Sequence, residues 1–334
     1  METTRLPTID EILYQIINTN EQHLFVFAGA GISINSGLPA AVPLLRKILR
    51  SLKLDSEDEA KLLLPNRKLA MPFEMFFDIF LKHERNFRLL DIFGKGEPNT
   101  FHYFISKCVA SGRTSEVYTT NFDLLIEKAF NEEALAYSVF RDEVAFQNLK
   151  IETSPNKLVK LHGSYDQIPS IRTTLFSIAN KNLAEQRDFA ITRLFSMNSS
   201  ALLLMLGYSC SDVFDVMPAI EGVTDPQITI VLVEHTPAFN SKDTCMIQAI
   251  QEPSVNNSFV RYRGFRVFCE TESFVKWLWE LMDDDYRETE KAPDLWSDSI
   301  EHTITSQNVD YSKYTILGRL FYNINDYDTA LKYY

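Results

Sequence analysis

Leu24-Phe25-Val26-Phe27-Ala28-Gly29-Ala30-Gly31-Ile32-Ser33-Ile34-Asn35-Ser36-Gly37-Leu38-Pro39 is the stretch on which the reading of the fold turns. Leu24–Ala28 is an apolar run of strand length, and Gly29, Ala30 and Gly31 follow at once. Beyond the turn, Pro43 and the spacing of Leu44, Leu45, Ile48 and Leu49 predict a helix to about Leu54. Strand, tiny-residue turn and helix together bring backbone N–H groups against a phosphate, and glycine lets the backbone approach because it has no Cβ. A tight connection satisfies the same pattern. Ile34 stands where the dinucleotide fingerprint G-x-G-x-x-G has its third glycine, which turns the reading away from an ordinary dehydrogenase.

Working outward, the chain has 334 residues, 45% of them hydrophobic, enough for one large domain or two ordinary ones. A net charge of −12 with no long basic run argues against a nucleic-acid surface. Cys108, Cys210, Cys245 and Cys269 are scattered and form no C-x-x-C pair, so neither a zinc ribbon nor a disulfide framework is expected. Ile9, Ile12, Leu13, Ile16 and Ile17 predict an amphipathic helix packed on the domain, not an export signal. No run reaches the ~20 apolar residues of a membrane span, and a cytoplasmic protein is expected.

Residues 55–97 read as short helices inserted between the first and second strands, rich in Phe73, Phe76, Phe77 and Phe80. They serve either as core packing or as a cap over a ligand cleft. Pro98-Asn99-Thr100 opens a helix that carries His102, read as structural. Strands are expected at Ser115–Thr120, Ala136–Phe140, Leu158–Leu161, Ala201–Leu206, Ile228–Val233 and Phe265–Cys269, with helices between them. These include helices at Leu183–Met197, at Val213–Ile220, between residues 233 and 265, and from Ser273 to Met282. Strands that are apolar along their whole length and alternate with helices predict a Rossmann-like, doubly wound parallel α/β sheet. Gly29, Asn121, His162, Gly207 and Glu234 each fall just past a predicted strand end, where open α/β sheets bind ligands. Each also has a structural reading: a helix N-cap for Asn121, a turn glycine for Gly207, a hydrogen-bonded core histidine for His162.

These motifs resemble the sirtuin family. Gly29-Ala30-Gly31-Ile32-Ser33 through Ser36-Gly37-Leu38-Pro39 is similar to its NAD-binding signature. Thr120-Asn121-Phe122-Asp123 resembles its Q-N-I-D element, with Thr120 in place of Gln. Lys160-Leu161-His162-Gly163-Ser164 resembles the element that holds the catalytic histidine. Pro98-Asn99 with His102 is similar to the helix before the Q-N-I-D strand, and Gly207-Tyr208-Ser209 takes the place of the Gly-Thr-Ser turn. The motifs occur in family order over about residues 20–285. Ala40-Ala41-Val42 stands where the deacylases carry Asp-Phe-Arg, and the four-cysteine zinc module is missing. Those departures resemble the divergent sirtuin-like domains of bacterial antiviral defence proteins, which hydrolyse NAD.

The resemblance implies NAD as substrate, no zinc, and cleavage of the nicotinamide–ribose bond through an oxocarbenium-like state. Asn121 would hold the ribose and water, and His162 would be the general base, suited by an ordinary pKa of roughly 6.5. Phe122 and Asp123 would hold the carboxamide. Ala28, Gly29, Ala30, Gly31 and Ser33 would carry the pyrophosphate, with Gly207, Tyr208 and Ser209 beside it. Glu234 would accept from the adenosine ribose hydroxyls and repel the extra phosphate of NADP.

In the tail, Tyr314, Leu317, Gly318, Phe321, Ala330 and Tyr334 fall at tetratricopeptide spacings; an amphipathic hairpin is the plain alternative. Three regions are therefore expected. Residues 1–285 form the sirtuin-like domain with its 55–97 insertion. Residues 286–308, which overlap the acidic, Pro-containing segment Asp283–Ser299, form a linker. Residues 309–334 start an α-helical repeat region whose continuation lies beyond this chain. An NAD-hydrolysing effector working as a homo-oligomer, with a phage or defence partner on the repeats and no membrane or nucleic-acid partner, is the first reading. An NAD-dependent deacylase, a non-catalytic NAD or ADP-ribose binding module, and an oxidoreductase are the competing ones.

Overall fold

The computed structural model describes residues 5–19, 23–64, 68–71, 73–83, 88–151, 153–171, 181–212, 216–252, 257–282, 286–306 and 310–334. Helix α1 (Ile9–Ile17) opens on a reciprocal cap between Thr8 and Glu11 and buries the five predicted apolar residues. Strand β1 (Leu24–Ala28) is buried throughout. It runs into a 3-10 turn over Ala30–Ser36, and α2 follows at Ala41–Ser51. The inserted region holds α3 (Ser56–Leu62), a small hairpin of β2 (Leu63–Leu64) and β3 (Lys68–Leu69), α4 (Phe73–His83), and a second 3-10 turn at Arg88–Gly94. Next come α5 (Thr100–Ala110), β4 (Glu116–Thr119), α6 (Leu125–Glu132), β5 (Ser138–Phe140), α7 (Glu143–Asn148) and β6 (Lys157–Lys160). Helix α8 (Lys181–Phe195), β7 (Leu202–Leu206), α9 (Val216–Gly222) and β8 (Thr229–His235) continue the alternation. Strands β9 (Met246–Ala249) and β10 (Arg263–Cys269) and helix α10 (Thr271–Leu281) follow, then α11 (Ser297–Ser306), α12 (Asp310–Asn323) and α13 (Tyr327–Tyr333). Residues 172–180 and 213–215, parts of the expected polar segment and of the expected helix from Val213, lie outside the described residues.

The large sheet has the order β5-β6-β4-β1-β7-β8-β10-β9. Every pairing in it is parallel except β9 against β10. The chain leaves β1 towards β4 on one side and returns from β6 to β7 on the other. This reversal of direction at β1 is the topological switch where α/β sheets open a ligand crevice. Successive residues of β1 point to opposite faces. Leu24, Val26 and Ala28 join a core with α1, α5, α6 and α10, while Phe25 and Phe27 join one with α8 and α9. Helices thus cover both faces, as the uninterrupted apolar strands predict.

The structure corrects the expectation for the β8–β10 connection. The connection between β8 and β10 was expected to be a helix, but the regular element among its described residues is the antiparallel edge strand β9. Met246–Ala249 is only partly buried, and Pro237 and a Ser-Lys-Asp-Thr turn at 241–244 precede it, so no helical apolar face is available.

A third core joins the insertion to the end of the chain. Leu44, Leu45, Ile48, Phe76, Phe77, Phe80, Trp296, Ile300, Leu317, Leu320, Phe321 and Ala330 belong to one buried cluster. Of the stretch expected as a linker, residues 297–306 are helical, and Trp296 is 9% exposed. Of the tail positions at repeat spacing, Leu317, Phe321 and Ala330 are buried, and the Tyr334 ring lies against Gly318. Tyr314 and Tyr334 are exposed.

Candidate active site

The carboxyl ends of β6, β4, β1 and β7, four adjacent strands, carry His162, Asn121, Gly29 and Gly207 in that spatial order. Glu234 lies inside β8, which runs one residue further to His235, instead of just past its end.

The two glycine turns pack on each other. Gly29 N donates to Leu206 O at 2.9 Å and Gly31 N to Gly207 O at 2.9 Å. A Cβ on Gly29 would lie 2.5 Å from Gly207 O and from Tyr208 Cα, and one on Gly31 would lie 2.7 Å from Gly207 Cα. Small residues here are therefore demanded by backbone against backbone. Within the turn expected to carry the pyrophosphate, the Gly31 and Ile32 amides are bonded to the Gly207 and Gly29 carbonyls. Ala30 is exposed, while Ala28, Gly29 and Ser33 are buried. Tyr208 packs its ring on Phe27, with centroids 4.7 Å apart. Ser209 is exposed, its Oγ 2.7 Å from Ser211 Oγ.

Ser33 is the hub of a buried polar cluster. Its Oγ donates to Asp123 Oδ2 at 2.8 Å, accepts from Asn121 Nδ2 at 3.2 Å, and lies 3.3 Å from His102 Nε2. Asp123 Oδ1 accepts the Leu125 amide at 3.1 Å, which fixes the carboxylate at the start of α6. Asn99 caps α5, and its Nδ2 donates to Ile32 O at 2.7 Å. Asn121 Oδ1 is buried and has no hydrogen-bond partner among the described residues. A buried carbonyl oxygen without a donor costs about 1–3 kcal/mol, so it marks a place where a ligand or water supplies one.

His162 Nε2 lies 2.9 Å from Asp212 Oδ2, and both side chains are buried. Phe122 packs against two rings in tilted arrangements, 5.2 Å from Phe93 and 6.3 Å from His162 by centroids. The Phe122 carbonyl accepts the Tyr165 amide at 3.0 Å. Under the turn, Lys160 Nζ donates to Asp123 O at 2.5 Å and to Glu127 Oε1 at 2.7 Å. Burial pushes the His102 imidazole down to about 4, against the opposing pull of Asp123, so this ring is neutral near pH 7.

Glu234 meets a cation: Arg266 Nη1 lies 2.8 Å from its Oε1. A cleft of about 900 Å³ lies between α7 and residues 165–170, lined by Asp142, Val144, Asn148, Tyr165, Asp166 and Ile168 among others; none of the expected site residues lines it. The four cysteines are free thiols, and among the described residues no group of three or more His, Cys, Asp or Glu is placed to hold a metal ion.

The model of the SIR2-like domain family matches residues 115–226. This segment, about a third of the chain, is what is similar to that family. The matched segment runs from β4 through α9 and includes Asn121, Asp123, His162 and Asp212. Members of the SIR2-like domain family use NAD. No curated protein matches the chain.

Sequence reasoning singled out Asn121, Asp123, Ser33 and His162, and the structure gathers the first three into one cluster. It set His102 aside as structural, although the ring touches Ser33, and it passed over Asp212 and Lys160. The signal for Asp212 was a carboxylate five residues past Gly207, at the end of a buried strand. The signal for Lys160 was a lysine closing a strand whose other residues are mostly apolar.

Proposed function

We propose that this chain hydrolyses NAD to nicotinamide and ADP-ribose, and that it serves as an antiphage effector by depleting cytoplasmic NAD. The observation that carries the reading is the unpartnered, buried Oδ1 of Asn121, set beside Ser33 and Asp123 at the switch point of a SIR2-like sheet. Asn121 is oriented through Nδ2 by Ser33, which leaves Oδ1 to accept from the ribose hydroxyl or the attacking water. His162 takes the proton, and the Asp212 carboxylate stabilises the imidazolium that results. Phe122 and Asp123 receive the carboxamide, and nicotinamide leaves neutral, so the protein has chiefly to orient the ribose and meet the developing positive charge. The Ala30 end of the 3-10 turn and Ser209 face the phosphates, and Glu234 with Arg266 faces the adenosine ribose.

Hydrolysis is favoured over acyl transfer by Ala40-Ala41-Val42 in place of Asp-Phe-Arg and by the absent four-cysteine segment. The resemblance to defence proteins and the repeat spacings of the tail support a homo-oligomer whose C-terminal helices meet a phage or defence partner.

The test is NAD consumption by the purified chain with product identification and no acyl substrate present. Wild type releases nicotinamide, and Asn121→Ala and His162→Ala each reduce the rate by about 10²-fold or more. Release that requires an acyl-lysine peptide would replace the reading with a deacylase. NAD bound but left intact by wild type would replace it with a binding module.

A further inference from the structure

We propose that Lys160 is a positioning residue: a buried cation that sets the Asn121–Asp123 turn against the strand that delivers His162. The inference rests on the NAD-cleaving reading of that site. Lys160 is wholly buried, closes β6, and stands opposite Thr119 of β4 in the sheet. From there its Nζ reaches past the end of β4 to the Asp123 carbonyl at 2.5 Å and to Glu127 of α6 at 2.7 Å. Asp123 in turn bonds Ser33 and the Leu125 amide, and Ser33 bonds Asn121. One ammonium thus links the His162 strand, through the main chain of the turn, to the cluster that orients Asn121.

Stability does not account for this pair. Two buried charges rarely contribute more than a well-packed apolar pair of the same volume, because removing them from water offsets their attraction. Burial is the largest influence on the Glu127 carboxyl and holds it above its ordinary range in spite of Lys160 beside it. An apolar side chain could fill the space, but only a donor can fix the Asp123 carbonyl. An ammonium on a four-carbon stem reaches a main-chain oxygen and a carboxylate together. The placement of catalytic groups is sensitive to shifts of about 1 Å, which cost about a hundredfold in rate.

The experiment compares wild type, Lys160→Met, the double variant Lys160→Met/Glu127→Leu, and Lys160→Arg. Three readouts are taken: thermal midpoint, kcat and KM for nicotinamide release, and hydrogen exchange over residues 119–125. Lys160→Met alone leaves the Glu127 charge unpaired and lowers the midpoint by about 10 °C. The double variant regains the wild-type midpoint to within about 3 °C. Its kcat nevertheless stays down about a hundredfold, with KM changed less than about threefold, and exchange over 119–125 is faster than in wild type. Lys160→Arg keeps a cation in place and retains more of kcat than the double variant. A double variant that recovers both midpoint and kcat overturns the proposal, since the pair would then be structural. Wild-type protein without turnover sinks the NAD-cleaving reading instead. In that event unchanged exchange over 119–125 in the double variant sinks the positioning role, and faster exchange confined to that turn upholds it.

Discussion

The Gly31 amide donates to the Gly207 carbonyl at 2.9 Å, so the turns that end β1 and β7 are bonded to each other across the switch point of the sheet. The glycines of the first turn are fixed by this contact before any phosphate is considered. Gly29→Ala places a Cβ 2.5 Å from backbone atoms of Gly207 and Tyr208, neither of which can move aside as a side chain would. Urea unfolding should show a loss of about 1–3 kcal/mol. Gly222→Ala, whose Cβ meets nothing within 4 Å, should lose none. Equal stability of the Gly29 variant would mean that the two turns are not in contact in solution. Substitution of Gly29 is for the same reason a poor probe of NAD binding, and Ser33→Ala is the better one.

His102 predicts a dependence of stability on pH. Its folded pKa, about 4, lies below the roughly 6.5 of an unfolded histidine because the charged form cannot be solvated in the core. Between those values the unfolded chain binds the proton and the folded chain does not. Stability attributable to this ring is therefore complete above about pH 6.5 and falls as pH drops towards 4, by about 3 kcal/mol in all. The difference in unfolding free energy between wild type and His102→Gln, followed from pH 7.5 to 4, should shrink by that amount. A difference that stays constant with pH would show that the ring is solvated.

Arg266 bears on the choice between NAD and NADP. Glu234 by itself would repel the 2′-phosphate, but Arg266 lies 2.8 Å away, and Asn257 Oδ1 accepts from its other Nη at 3.0 Å. Arginine beside the ribose site is what accommodates the extra phosphate in NADP-binding folds. Arg266→Ala is expected to raise the preference for NAD over NADP by about tenfold or more in binding titrations, because an unopposed carboxylate then faces the phosphate. An unchanged ratio would remove this pair from the adenosine site.

The chain from 286 to 296 lies along the first turn. Ala292 N donates to Asn35 O at 2.8 Å and Leu295 N to Gly37 O at 3.3 Å, while Thr289 and Thr100 exchange bonds at 3.0 and 3.2 Å. Trp296 then anchors this segment in the core shared by the insertion and the last helices. Trp296→Ala should cost about 3–5 kcal/mol from the cavity it leaves. It should also speed hydrogen exchange over residues 30–38, because the segment that bonds Asn35 and Gly37 loses its anchor. Faster exchange in the last helices alone would show that the two regions are mechanically separate.

Local pattern was enough for much of the architecture. Uninterrupted apolar runs such as Leu24–Ala28 and Leu202–Leu206 can lie only in a sheet covered on both faces, so the α/β class and most strands were legible. Asn121 stood out by its place just past a strand end, and Asp123 and Ser33 through the motifs that resemble the sirtuin family. The edge strand Met246–Ala249 was not legible, since an edge is defined by its neighbour β10 and carries no strong period of its own. Asp212 and Lys160 were not legible as site residues, because their meaning is their distance from His162 and Asp123, set by strand order.

The sequence alone determined which residues could form strands, which turns had to be small, and which polar groups stood at strand ends. Those are local matters of Cβ sterics, side-chain period and burial. Only the tertiary structure decided that β6, β4, β1 and β7 are neighbours, that Gly29 and Gly31 are held against Gly207, and that the final helices share a core with the insertion. Those contacts join residues up to about three hundred positions apart, and their free energy appears only once the sheet brings them together.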